Sequence, residues 1–134
     1  MSARGSSAAS ARVVALSATV ATLMIAQQVA SKAVRDGVFL THYEVTSLPI
    51  ATLAAALVSF AAALLLGKLI ATFSPAAAVP VLFAANGFVF LIEAASIAHA
   101  PAVVAATVYL HVAAFGGAVV SGFWSVVNER FDPY

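Results

Sequence analysis

The chain has 134 residues, six of them Lys or Arg and five Asp or Glu, for a formal net charge of +1; 63% of residues are hydrophobic and 8% charged. Soluble domains run at roughly 45–50% apolar and 25% charged, so a water-soluble fold could not cover this much apolar side chain. The small net charge and scattered basic residues argue against a nucleic-acid partner, and the absence of cysteine rules out a disulfide framework, a thiol nucleophile and a thiolate metal site.

Charges fall mainly between or at the ends of four uncharged runs: Val13 to Ser31, Val45 to Gly67, Leu69 to Ile92 and Ala94 to Asn128. A helix needs about 20 apolar residues to cross a bilayer core, so each run can span. The runs are too long for barrel strands and lack their alternation, which leaves helices as the spanning structure. The expected fold is an all-α membrane protein with four transmembrane helices, about 13–40, 47–67, 75–98 and 101–127, inside a region 13–134.

Residues 1–12 are rich in Ser and Ala, carry Arg4 and Arg12 and lack acids. They read as a disordered cytoplasmic tail ahead of an uncleaved signal anchor, because the apolar run continues through Gln27 and Gln28 into a charged cluster instead of ending at a cleavage site. The first helix meets no proline before Leu40, and Gly37 is its only weak helix former after Lys32. On it Gln28, Lys32, Arg35, Asp36 and Phe39 recur at three- and four-residue spacings and share one face. A polar stripe on a membrane helix faces protein or water. Lys32 and Asp36, at i and i+4, can pair, leaving the planar fork of Arg35 for phosphate or carboxylate oxygens. The rival reading of this cluster is snorkelling at a helix end.

Thr46, Ser47 and Pro49 suit the cap and first turn of the second helix, which is expected to end near Gly67 and Lys68. The third begins at Ser74-Pro75 or at Pro80, and in the first case Pro80 should kink it. Its Glu93 and the His111 of the fourth helix are intramembrane ionisable residues, and each calls for a partner, a wet cavity or a neutralising proton. Both are about equally deep when counted from the short turn that joins their helices, so they form a candidate polar pair; the functional readings are proton coupling or substrate contact. His42 and His99 fall in expected loops, and no two histidines have zinc-ligand spacing. No nucleophile stands beside a histidine in a catalytic pattern and no glycine loop follows a strand, so neither an enzyme nor a cofactor is expected.

Small residues recur every fourth position at Ala18, Thr22, Ala26 and Ala30, at Ala51, Ala55, Ser59, Ala63 and Gly67, and at Ala113, Gly117 and Ser121. Such rows let helix backbones approach closely. They also support a second reading of the chain, a small four-helix structural or assembly protein without transport activity of its own. A third, a small proton-coupled exporter working as a dimer, would place its key Glu in the first helix; the intramembrane Glu here is in the third.

Three segments in order carry a family resemblance: Lys32-Ala-Val-Arg-Asp-Gly-Val-Phe-Leu40, Ser47-Leu-Pro49, and Phe123-Trp-Ser-Val-Val-Asn-Glu-Arg-Phe-Asp-Pro133. They resemble the nucleotide transporter family of ATP/ADP translocases, a branch of the major facilitator superfamily. Such carriers have about twelve membrane helices, so the resemblance implies that this chain corresponds to the first four, with the remaining helices of a longer carrier as its partners. It also implies an anionic solute, with a nucleotide as the family's own substrate. The basic-Asp pair at the end of the family's first helix corresponds to Arg35-Asp36, where the basic residue is expected to meet phosphates; the substrate contacts implied are Lys32, Arg35 and Asp36. The family's ATP/ADP exchangers carry an acidic residue in the fourth helix about a dozen positions before the Phe-Trp pair. Here His111 and Val112 stand there, which puts strict ATP/ADP exchange in doubt and leaves a related anion open.

Short connections force the helices to alternate direction, and the Lys/Arg count decides the orientation. With the N-terminus inside, Arg4, Arg12, Lys68 and Arg130 are cytoplasmic, while Lys32 and Arg35 lie toward the other side. The expected location is a bacterial inner membrane with the N-terminus cytoplasmic. The natural lack of cysteine makes this testable with single introduced cysteines. Ser6→Cys and Thr72→Cys should be protected from an impermeant thiol reagent added outside, and Thr41→Cys and Ala100→Cys should react. Labelling at position 72 with protection at position 41 reverses the orientation.

Overall fold

Lipid offers backbone amides no hydrogen-bond partner, so an apolar chain of this kind must satisfy its backbone within its own helices. The structure, a computed structural model, describes residues 3–131, and the surroundings of side chains 11–129. It contains α1 (Ala3–His42), a short 3-10 turn (Val45–Ser47), α2 (Leu48–Thr72), α3 (Pro75–Ser96) and α4 (Pro101–Phe131). All four helices contain a stretch long and apolar enough to cross a membrane. The protein is an all-helical integral membrane protein.

The boundaries differ from expectation mostly by extension. α1 begins at Ala3, so most of the segment read from sequence as a disordered tail continues the helix, while residues 1 and 2 lie outside the described residues. Alanine and serine tolerate a helix there, and no proline interrupts it. At about 1.5 Å per residue its 40 residues extend to about 60 Å, twice the hydrocarbon thickness. α2 runs through Gly67 and Lys68 to Thr72, because one helical glycine costs only about 1 kcal/mol and the next proline is at position 75. Pro49 occupies its first turn, but the Ser47 side chain makes no capping hydrogen bond. α3 starts at Pro75 and contains Pro80. α4 continues past residue 127 to Phe131; Asp132 and Pro133, the end of the third segment of the family resemblance, lie outside the described residues.

α4 is the hub. Helices α1, α2 and α3 each pack mainly on it, whereas α2 and α3 barely touch. Half of the spanning stretch of α4 is buried within the chain, against 6% to 17% for the other three, whose outer faces are left to lipid. Met24 of α1 packs with Val119 and Phe123 of α4, and Leu82 and Phe83 of α3 close over them. Phe39 of α1, Ala55 of α2 and Tyr109 of α4 form a second cluster. Val104, Val108 and Val112 of α4 form a third, against Phe90 of α3.

The small-residue rows are used unevenly. On α2, Ala51, Ala55 and Ser59 face α4, and Ser59 Oγ donates a 2.9 Å hydrogen bond to the Ala113 carbonyl. The α1 row of Ala18, Thr22, Ala26 and Ala30 is exposed, contrary to its reading as a contact row. The inward face of α1 is set instead by Ala21, Met24, Gln28 and Arg35, where larger side chains meet α4. α3 comes close to α4 at Gly122, where a Cβ would stand 3.1 Å from a methyl of Val79. At Gly117, by contrast, a Cβ would meet nothing within 4 Å.

These two glycines generate opposite expectations. Gly122→Leu should overpack the α3–α4 contact and lower stability by about 1–3 kcal/mol. Gly117→Ala should be neutral or stabilising by up to about 1 kcal/mol, through helix propensity alone. Thermal unfolding in detergent, followed by circular dichroism, compares the two.

Candidate functional site

An open groove of about 760 Å³ runs between α1 and α4. Met24, Gln28, Lys32 and Arg35 line its α1 side, and Val112, Gly116, Val120 and Trp124 its α4 side. The spacing of each set follows from helical periodicity, which brings every third or fourth residue to one face. Gly116 and Gln28 meet closely here. A Cβ at position 116 would lie 2.9 Å from Gln28 Oε1, so the glycine lets the amide of Gln28 lie against α4. Gln28 in turn reaches Gln27, and Gln27 Nε2 donates to Ser31 Oγ at 2.9 Å.

At one end of the groove Arg35 is held on two sides. Its guanidinium carbon stands 4.7 Å from the ring centroid of Tyr109, and its Nε donates to Asp36 Oδ1 at 2.8 Å. Tyr109 is itself fixed. Its ring packs 4.7 Å from that of Phe39, which stacks on Tyr43, and its hydroxyl lies 3.2 Å from Thr52 Oγ1 of α2. Cation–π contacts of this kind contribute about 0.5–1 kcal/mol when exposed and more when desolvated.

The pairing expected from sequence is therefore corrected. Asp36 bonds Arg35, not Lys32, because the Tyr109 ring draws the guanidinium across α1 and brings Nε to the neighbouring carboxylate. Lys32 lines the groove with no carboxylate within 4.0 Å among the described residues. Arg35 makes no further hydrogen bond there, so its two terminal nitrogens are uncommitted. Of the three residues expected to contact substrate, Lys32 and Arg35 line the groove, and Asp36 stands outside it as the partner of Arg35.

A second polar site lies on another face of α4. His111 Nδ1 and Glu93 Oε2 share a hydrogen bond of 3.0 Å, and both residues are buried. The imidazole sits between the rings of Phe90 and Phe115, with centroids at 4.6 and 4.9 Å. The outer atoms of the pair, Glu93 Oε1 and His111 Nε2, are buried with no hydrogen-bond partner. The structure thus joins the two ionisable residues that the sequence placed at similar depth.

The other histidines stand apart: His42 ends α1, bonded to Thr41 and the Val38 carbonyl, and His99 lies in the turn before α4. No group of three metal-ligating side chains occurs among the described residues. Sequence reading missed Tyr109, Gly116 and Trp124. A signal existed, since Tyr109, Val112, Gly116, Val120 and Trp124 recur at three- and four-residue spacing, but the stripe mixes aromatic, aliphatic and glycine residues and so resembles ordinary packing. Comparison of the chain with family profiles, with curated proteins and with solved structures finds no match.

The buried pair makes a coupling prediction. Replacing either partner by an apolar residue strands the other, at about 1–3 kcal/mol, whereas removing both leaves nothing unsatisfied. Glu93→Leu and His111→Leu should each lower stability, and the double variant should lose less than the two losses added, by roughly 0.5–3 kcal/mol. Thermal unfolding in detergent measures this; strictly additive losses exclude the interaction.

Proposed function

We propose that the chain is the N-terminal part of a membrane carrier that binds an anionic solute in the groove between α1 and α4. The observation that carries this reading is the charge of the groove: Lys32 and Arg35 line it, and no carboxylate does. Cations within a membrane bundle need a partner, and an anion in the groove supplies one. Arg35 presents its free terminal nitrogens as a fork suited to phosphate or carboxylate oxygens, while Asp36 and Tyr109 hold the rest of the guanidinium. Gln28 adds an uncharged hydrogen-bonding group deeper in the same groove.

The resemblance to nucleotide transporters makes a nucleotide the first anion to test. In this reading the further helices of a longer carrier close the groove opposite α1 and α4, the carrier exchanges anionic solutes, and it works in a bacterial inner membrane. The other reading, a structural four-helix protein, explains the α2–α4 contact but assigns no role to two cations in a groove.

Trp124 is the only tryptophan of the chain and lines the groove, so its fluorescence reports occupancy. Titration of the purified chain with ATP, and separately with inorganic phosphate, should give a saturable change in emission. Arg35→Gln should weaken binding about tenfold or more, since a hydrogen bond to a charged group is worth about 1.5–3 kcal/mol. Arg35→Lys should keep part of it, because charge survives while the planar fork does not. An identical response from wild type and Arg35→Gln leaves Arg35 as a snorkelling residue and removes the reading.

A further inference from the structure

Glu93 and His111 play no part in the groove, which neither residue lines. Their burial nevertheless requires an account. A carboxylate in an apolar span is unfavourable unless it is neutralised, and the two buried atoms without partners, Glu93 Oε1 and His111 Nε2, make the site unfavourable as a purely structural hydrogen bond.

The charges around the pair offer no alternative neutralisation. On α1, Lys32 and Arg35 line the groove, and Asp36 is bonded to Arg35. On α2 the only charged residue is Lys68, close to the end of the helix, whereas the pair lies near the opposite, starting end of α2, where Thr52 meets Tyr109. On α3 and α4 the ring of His111 meets Phe90 and Phe115, and Tyr109 is directed to Thr52 and Arg35 instead. No charged group other than the two partners lies within ion-pair distance of either among the described residues.

We propose that Glu93 and His111 form a proton-binding site, which holds one proton between Oε2 and Nδ1 while the site is dry and releases it when water reaches the imidazole. With one proton the pair carries no net charge, and an apolar site favours the arrangement of two neutral groups, a carboxylic acid donating to imidazole, over a carboxylate accepting from imidazolium. An apolar site favours that state over a bare carboxylate. Transfer within the pair breaks the O–H bond at Oε2 and forms an N–H bond at Nδ1, and leaves the carboxylate with the electron pair. The imidazolium then gives its Nε2 proton to water, forming hydronium, and neutral imidazole keeps Nδ1–H toward the carboxylate. Imidazole suits this step because it accepts at one nitrogen and donates from the other. Nε2, the atom without a partner, is the point of exit, and the flanking Phe90 and Phe115 keep the ring from water in this conformation. The proposal does not rest on anion binding in the groove. It gives a carrier built on this chain a means of linking solute movement to proton movement.

Infrared spectroscopy of the purified full chain tests this without any transport assay. Wild type should show the C=O band of one buried carboxylic acid per chain, shifted in D2O and absent from Glu93→Gln. That band should fall reversibly as pH is raised and the pair gives up its proton. The ¹⁵N resonances of His111 in wild type should follow the same pH course, which keeps the test decisive if the variant folds poorly. The band should persist in Arg35→Gln, so loss of the Trp124 response to anions and loss of the proton signal can be told apart. A carboxyl band that does not change with pH marks a fixed structural hydrogen bond and overturns the proposal, as does the absence of any signal dependent on Glu93.

Discussion

The packing of this bundle centres on α4. Three helices lean on it and scarcely on one another, so α4 supplies the chain's interior while α1, α2 and α3 turn most of their surface to lipid. Lipid tails are as apolar as leucine, and association of the outer helices with α4 therefore cannot come from hiding apolar surface. It comes from close packing and from the few hydrogen bonds that cross to α4: Ser59 to the Ala113 carbonyl, Thr52 with Tyr109, Tyr43 just past the end of α1 to the Ala102 carbonyl, and Glu93 with His111. All four end on α4. Each contributes modestly, about 0.6 kcal/mol on average in comparable membrane bundles, but together they orient α2 and α3 against α4 and tie down the chain where it leaves α1.

The four spans were legible because hydrophobic length and the placement of charge are one-dimensional properties that survive any arrangement in space. Glu93 and His111 could be paired from sequence for a similar reason: a short turn joins two helices in opposite directions, and residue counts from that turn measure depth. The α1 row of Ala18, Thr22, Ala26 and Ala30 misled because an alanine-rich helix contains small residues on several faces. Only the partner decides which face is used, and α4 meets α1 through Met24 and Gln28. The Lys32–Asp36 pairing failed on a related ground. Spacing along one helix marks which side chains can meet, but Tyr109, brought from a helix more than sixty residues away, decides which one does. The start of α1 was misjudged because Ser and Ala without acids describe a flexible tail and a helix equally well.

The two polar features of the bundle share a helix but not a face. Val112, Gly116 and Trp124 turn toward α1 and the groove, whereas His111 turns toward Glu93 of α3. Adjacent residues of an α-helix point about 100° apart, so one rigid helix can serve both neighbours from consecutive positions. His111 and Val112 do this: the first bonds α3, and the second lines the groove.

That arrangement bears on how proton and anion would be linked under the functional reading proposed above. A displacement of α4 against α1 changes the width of the groove, and the same displacement against α3 changes the cover over His111. Linkage between the two sites then requires no chain of intervening side chains, only that α4 move as a body against neighbours that scarcely contact each other. The contact at Gly122, where Val79 leaves room for no side chain without adjustment, is positioned to limit that movement on the α3 side. On the groove side Gly117 faces open space, and the close contact there is at Gly116, against the amide end of Gln28. Between α3 and α4 the close contact is a methyl of the branched, χ1-restricted Val79, whereas between α1 and α4 it is the end of the flexible Gln28 side chain, which a solute entering the groove displaces at less cost.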